Sequence, residues 1–185
     1  LPSARGQGDP VSSSINSQSG STFAGVVAGT EEDYCVLTAN NGYGFIAKIE
    51  ELQTKNKSGK TALNTKGAIP LGPEKLTSIE DSYIAAITEE GKMLLIEAND
   101  LPVLAKGRGN KIINIDKKKF EAKENRLIFL KTLNKGDNLK IYSGKQSYMI
   151  KSKDLENFVG SRGRKGNFLP KGYRRVDKLE VISEE

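Results

Sequence analysis

Tyr83-Ile84-Ala85-Ala86-Ile87-Thr88-Glu89-Glu90-Gly91-Lys92-Met93-Leu94-Leu95-Ile96-Glu97 places two short apolar runs on either side of a polar turn ending in glycine. Runs of this length, broken by a glycine that supplies the turn, read as a β-hairpin. The layout occurs twice more. Upstream, Tyr34 to Thr38 and Tyr43 to Ile49 flank Asn40-Asn41-Gly42; downstream, Leu139 to Tyr142 and Ser147 to Lys151 flank Ser143-Gly144-Lys145. The turn glycines Gly42, Gly91 and Gly144 lie 49 and 53 positions apart, and the hairpins end in turn at Glu51-Leu52, Asp100-Leu101 and Asp154-Leu155. A repeat of about fifty residues dominated by short strands predicts an all-β architecture of propeller-like blades. A helical repeat would need a 3.6-residue apolar period, which is absent. The best helical candidate, Asp116 to Asn125, is mostly charge and reads as a long polar loop. The expected organisation is a remnant of a preceding blade plus a polar connector over 1–30, with residues 9–22 the flexible part. Three hairpin blades follow over about 31–80, 81–135 and 136–182, with Leu179 to Ile182 as a closing strand and 183–185 as a tail.

A short basic loop carrying glycine follows each hairpin: Thr54 to Lys60, Ala105 to Lys111 and Ser161 to Gly166. A fourth copy, Ser3-Ala4-Arg5-Gly6-Gln7-Gly8, opens the chain without a hairpin before it, and Leu1-Pro2 echoes Leu101-Pro102. Gly8, Gly59, Gly109 and Gly166 are spaced 51, 50 and 57 apart, so the chain is expected to start at the end of a repeat whose strands precede it. Glycine lets backbone come close to a ligand, and a neighbouring long cation reaches a phosphate. Charge is distributed to match. Residues 1–103 hold 8 basic and 13 acidic side chains, whereas 104–185 hold 21 and 10, within a net charge of +6. A strongly basic end predicts a polyanion partner. The candidate contacts are Arg5, Lys55, Lys57, Lys60, Lys106, Arg108, Lys111, Arg162, Arg164, Lys165, Lys171, Arg174 and Arg175.

Composition removes several other chemistries. The 185 residues contain no histidine, one cysteine (Cys35) and no tryptophan. Nucleophilic triads that use imidazole are therefore excluded, and one thiol supplies neither a zinc site nor an internal disulfide. No apolar stretch approaches the roughly 20 residues of a membrane span. Gly107-Arg108-Gly109 lacks the remaining features of a dinucleotide or P-loop signature. The pairs Glu31-Glu32, Glu50-Glu51 and Glu89-Glu90 read as solvated turn residues, Cys35 as buried, and Tyr34, Phe45, Tyr83 and Phe129 as core. Only Phe168 and Tyr173 lie beside the basic loops as stacking candidates, too few for a single-strand platform. A protein-docking β-propeller-like adaptor module is the alternative reading, and the recurring basic loops argue against it. A stand-alone hydrolase on a propeller fares worse, because histidine is absent and the acids are scattered.

The stretches LPSARGQG (1–8), NGYGF (41–45), DLPVLAKGRGNKIINI (100–115) and GSRGRKGNFLPKGYRRVD (160–177) carry a resemblance. In order and spacing they are similar to the C-terminal domains of the A subunits of bacterial topoisomerase IV, relatives of the gyrase A-subunit tail. The resemblance covers nearly all of residues 1–8 and 33–182. It implies a β-pinwheel, a propeller-like ring of hairpin blades that exchange strands, here partial, with its first blades missing. It also implies a non-catalytic duplex-DNA-binding and bending domain in a bacterial, chromosome-associated cytoplasmic enzyme that decatenates and relaxes DNA. No cofactor is implied for this domain, since Mg2+ and ATP are used by other domains of that enzyme. The implied protein partners are the B subunit, through other domains, and an SMC-type condensin. None of the loops keeps the gyrase box Gln-Arg-Arg-Gly-Gly-Lys-Gly, and GSRGRKG comes nearest. That departure fits a bending and positioning surface more than a wrapping spool; it argues against negative supercoiling and favours decatenation and relaxation.

Overall fold

A computed structural model describes residue 10, residue 13 and residues 15–183. Its strands are β1 (Tyr34–Thr38), β2 (Tyr43–Lys48), β3 (Glu74–Leu76), β4 (Ser82–Thr88), β5 (Lys92–Glu97), β6 (Asn110–Lys111), β7 (Leu127–Asn134), β8 (Asn138–Ser143), β9 (Gln146–Ile150), β10 (Asn167–Phe168) and β11 (Lys178–Ile182). All three expected hairpins form: β1 with β2, β4 with β5, and β8 with β9. They anchor three antiparallel sheets, in the orders β3-β1-β2-β6, β10-β5-β4-β7 and β11-β8-β9. The expected closing strand is β11, which lies along β8 with Leu179 opposite Ile141. Unlike the expected polar loop, the segment after β6 contains a short helix, Lys117–Glu121. Charge hides its periodicity, but Asp116 caps it by accepting from the backbone N–H groups of Lys118 and Lys119.

The sheets pack face to face in chain order. Val36, Ile46 and Leu76 of the first sheet meet Ile84, Ala86, Leu94 and Ile96 of the second, together with Ile112, Ile113 and Leu127. The opposite face of the second sheet, Ala85, Ile87, Met93 and Leu95, meets Leu139, Ile141, Ile150 and Leu179 of the third. The middle sheet is thus buried on both faces, so Ile84 to Ile87 and Met93 to Ile96 are unbroken apolar runs with no alternation. Sheet three alternates instead. Lys140, Tyr142, Lys178 and Glu180 share its outer face, where the Tyr142 hydroxyl donates to Glu180 at 2.6 Å. On the far face of the first sheet, Cys35, Phe45 and Ala47 are covered by Val27, Leu37, Leu52, Leu63 and Leu104. Burial there pushes the Cys35 thiol up to about 11, which keeps it protonated and inert.

Two strands are exchanged. β6 follows the second hairpin but adds to the first, with Lys111 opposite Tyr43 and Asn110 opposite Gly44. β10 follows the third hairpin and adds to the second, with Phe168 opposite Lys92 and Asn167 opposite Met93. Each of the first two sheets therefore draws residues from two of the sequence intervals 31–80, 81–135 and 136–182. In each case a glycine just before the added strand permits the approach. Gly109 has φ +73°, and a Cβ there would sit 1.9 Å from the Gly44 carbonyl oxygen; Gly166 has φ +70°, with the Met93 oxygen at 2.4 Å. Sequence reasoning gave these glycines to ligand approach, but what they approach is a strand edge. Among the described residues no strand covers the outer edge of β9.

Gly109→Ala and Gly166→Ala should each lower stability by at least about 2 kcal/mol, combining left-handed strain with a backbone clash. Gly59→Ala, at φ +83° with nothing within 4 Å of the added carbon, should show only the strain, about 1 kcal/mol. Thermal melting of the three variants checks the order. A second expectation concerns acid. Glu90, in the turn of the second hairpin, forms an ion pair with Lys119 of the short helix, and that hydrogen bond chiefly holds its carboxyl below the ordinary 4.5. A lowered folded value contributes stability above pH 4.5 that is lost as pH falls through the lowered value. Melting between pH 3 and 6 should therefore fall more steeply in the parent than in Glu90→Gln.

Candidate nucleic-acid interface

The strand exchange fixes where the basic loops lie. Before β6, the chain first runs parallel to β2: the Ile46 N–H donates to Pro102 at 3.0 Å, and the Leu104 N–H donates to Ile46 at 2.8 Å. It leaves the edge at Ala105 and returns antiparallel at Asn110. The third repeat does the same on β5, with a parallel bridge from Leu95 to Val159, a Gly160 N–H bond to Leu95 at 2.9 Å, and return at Asn167. Each loop is therefore a bight pinned at both ends to a sheet edge, with its cations between the pins.

The second and third loops each touch the segment just after the preceding loop. Gly107 exchanges backbone hydrogen bonds with Ala62 and Asn64, at 2.8 and 2.7 Å. The Asn114 N–H donates to Arg164 at 2.8 Å, and the Gly163 N–H donates to Ile112 at 2.8 Å. The structure thus brings Lys106, Arg108, Lys111, Arg162, Arg164 and Lys165 onto adjoining segments. Lys171, Arg174 and Arg175 follow β10, where Arg174 packs against Gly91 in the second hairpin turn. Lys55, Lys57 and Lys60 are exposed on the first loop, which forms no added strand; the Lys60 ammonium donates to the Glu51 carbonyl at 2.5 Å. Arg5 lies outside the described residues.

None of the twelve described candidates makes an ion pair within 4.0 Å among the described residues, whereas Lys48, Lys75, Lys119, Arg126, Lys131 and Lys135 are all paired to carboxylates. The candidates differ in freedom, however. Arg162 is half-buried and donates to the Lys111 carbonyl at 2.9 Å, so it ties the third loop to β6. Arg174 and Arg175 line a recess with Glu89 and Glu90, which lowers their local field. Arg108 lies over the Tyr43 ring at 3.7 Å, and Arg174 over Phe168 at 4.3 Å. Tyr173 packs on Tyr148, with ring centroids 5.2 Å apart.

Three cations escaped the sequence reading. Lys66 and Lys117 join Tyr43, Arg108 and Lys111 around a recess of about 470 Å³, where Lys117 pairs with Glu121. Lys92 lies over Phe168 at 4.8 Å. Lys92 follows the turn glycine of its hairpin as Tyr43 follows Gly42, but only the exchanged strands reveal what the two positions share. Among the described residues no group of three or more His, Cys, Asp or Glu side chains could hold a metal ion, and no helix is long and apolar enough to cross a membrane.

Known proteins are similar to this chain in sequence and fold. The family described as DNA gyrase C-terminal domain, beta-propeller, matches residues 33–79 and 82–121. The A subunit of DNA topoisomerase 4 from Pseudomonas aeruginosa is 42% identical over 182 residues, which are 98% of this chain and 24% of that protein. Its counterpart in Haemophilus influenzae is 39% identical over 183 residues, with the same shares covered. The chain thus spans about a quarter of the length of these curated relatives. The solved C-terminal domain of E. coli ParC superposes with a TM-score of 0.88 at 32% identity, covering 100% of this chain and 74% of that one. Fold and sequence agree: the chain belongs to the family of C-terminal domains of topoisomerase IV A subunits, with the gyrase A type of β-pinwheel.

Proposed function

We propose that this chain is a non-catalytic domain that binds and bends duplex DNA. The observation that carries the reading is the band formed by the second and third basic loops, each pinned at both ends to a sheet edge and joined at Arg162 and Lys111, whose cations have no carboxylate partner among the described residues. Backbone pins fix the cations in space, and unpaired cations keep their full attraction for phosphate. Contacts of this kind set the path of a duplex without reading its sequence. Bending 20–30 base pairs costs on the order of 1–6 kcal/mol, which several such contacts together offset. In the whole protein the bend would position DNA segments for ATP-dependent decatenation and relaxation during chromosome segregation in the bacterial cytoplasm. Mg2+, ATP and the B subunit would then act through other domains, and an SMC-type condensin would be a further partner.

Anisotropy of a labelled 30–40 base-pair duplex, titrated across a salt series, tests the reading. Log affinity should fall linearly with log salt, with a slope of about −0.9 per phosphate neutralised and nearly the same for unrelated sequences. Arg164→Ala together with Lys165→Ala should flatten the slope by roughly 1 to 2 without changing the melting temperature. Arg162→Ala should weaken binding and also lower the melting temperature, because it removes the bond to the Lys111 carbonyl. A flat salt response, or an undiminished slope in the double variant, would refute the band as the DNA surface and favour protein docking.

A further inference from the structure

Tyr43 faces Lys111 across β2 and β6, and Lys92 faces Phe168 across β5 and β10. These are the same position in successive sheets, each filled by one ring and one cation. The ring is on the hairpin in the first sheet and on the added strand in the second. A second cation completes each cluster. Arg108 and Lys111 lie 3.7 and 5.7 Å from the Tyr43 centroid; Arg174 and Lys92 lie 4.3 and 4.8 Å from that of Phe168. All four distances are within the range at which a ring attracts a cation.

We propose that these two clusters are where the rim grips the sugar–phosphate backbone of duplex DNA. In this arrangement Lys92 is a phosphate contact beside Arg108, Lys111 and Arg174, and Tyr43 and Phe168 are positioning residues. The inference rests on the DNA-binding reading above. A guanidinium stacked by its face keeps its in-plane N–H groups free for phosphate, and the ring restricts a side chain that would otherwise be ordered only on binding. Arg174 is further fixed by the bond from its Nε to the Leu169 carbonyl at 3.3 Å, a bond that does not use its terminal nitrogens. Lys92 is held more loosely by Glu90 at 3.7 Å, and Glu90 is itself engaged by Lys119.

A third ring with two cations provides the control. Lys140 and Lys178 lie 5.1 and 5.0 Å from the Tyr142 ring on the outer face of sheet three. There Glu180 accepts from the Tyr142 hydroxyl itself and pairs with Lys178, and the strand beside the ring, β11, comes from the same repeat and is not exchanged from another.

The experiment is duplex anisotropy across salt with the 185-residue chain and its variants, each checked by thermal melting. Tyr43→Leu and Phe168→Leu should each weaken binding about 2- to 5-fold at fixed salt, leaving the log–log slope unchanged because no charge is lost. Tyr43→Phe and Phe168→Tyr keep a ring and should recover that loss. Lys92→Ala should flatten the slope by about 0.9, and Tyr142→Leu should change neither quantity. Arg108→Lys, which keeps the charge but loses the planar stack, carries the test if Tyr43→Leu lowers the melting temperature. Salt-dependent binding by the parent with undiminished affinity in both leucine variants would overturn the positioning role, and an unchanged slope in Lys92→Ala would remove that contact. Absence of any duplex binding by the parent would instead overturn the DNA reading, and the clusters with it.

Discussion

The close approach of the Gly109 and Gly166 backbones to the neighbouring hairpin is the constraint on which the other features depend. A strand edge left open exposes unpaired N–H and C=O groups, which must be covered or left to water. Here the outer edges of β2 and β5 are covered by chain arriving from the following repeat. Because the cover is borrowed, neither of these sheets is complete without the next. The same contact also decides the surface: between the parallel and antiparallel attachments the chain has a few residues to spare, and those residues are the second and third basic loops.

Those loops carry an electrostatic cost that the rest of the chain avoids. Around the sheets, cations are matched to carboxylates, as with Lys131 and Glu74 at 2.6 Å or Lys135 and Glu97 at 2.8 Å. On adjoining loops, Lys106, Arg108, Lys111, Arg164 and Lys165 have no such partner among the described residues. Like charges held within a Debye length of about 8–10 Å repel one another through the solvent and oppose the compact state. Tyr43 and Phe168 soften this, since each ring face offers its cations a partner that does not cancel their charge.

Much of this was readable in the residues. The hairpins announce themselves because each apolar run breaks at a turn glycine. Coverage is encoded too, since unbroken apolar runs belong to sheets covered on both faces and alternation of Leu139-Lys140-Ile141-Tyr142 to one covered on a single face. β6 and β10 were not readable. A two-residue strand has no period, and its partner lies more than sixty positions away in the chain. The helix at Lys117–Glu121 was hidden because its signal is the Asp116 cap and not an apolar stripe. The candidate cations were found by their recurrence, but their unequal freedom was not. Nothing in the sequence sets Arg162, tied to the Lys111 carbonyl, apart from Arg164 two residues on.

The structure separates two demands that the sequence fuses in its repeated glycine–cation loops. Glycine at 109 and 166 is required by the sheet: the positive φ and the contact with the neighbouring carbonyl hold whether or not anything binds. Recurrence of glycine is therefore explained by folding alone and says nothing about a ligand. The cations are different. No sheet contact calls for Lys106, Arg164 or Lys165, and a neutral loop of the same length would satisfy both pins without the mutual repulsion. Side chains that the fold does not need, and that burden it slightly, are accounted for by what they attract. The proposed polyanion partner thus rests on the unpaired charges between the pins, and would do so even if every glycine in the loops were set aside.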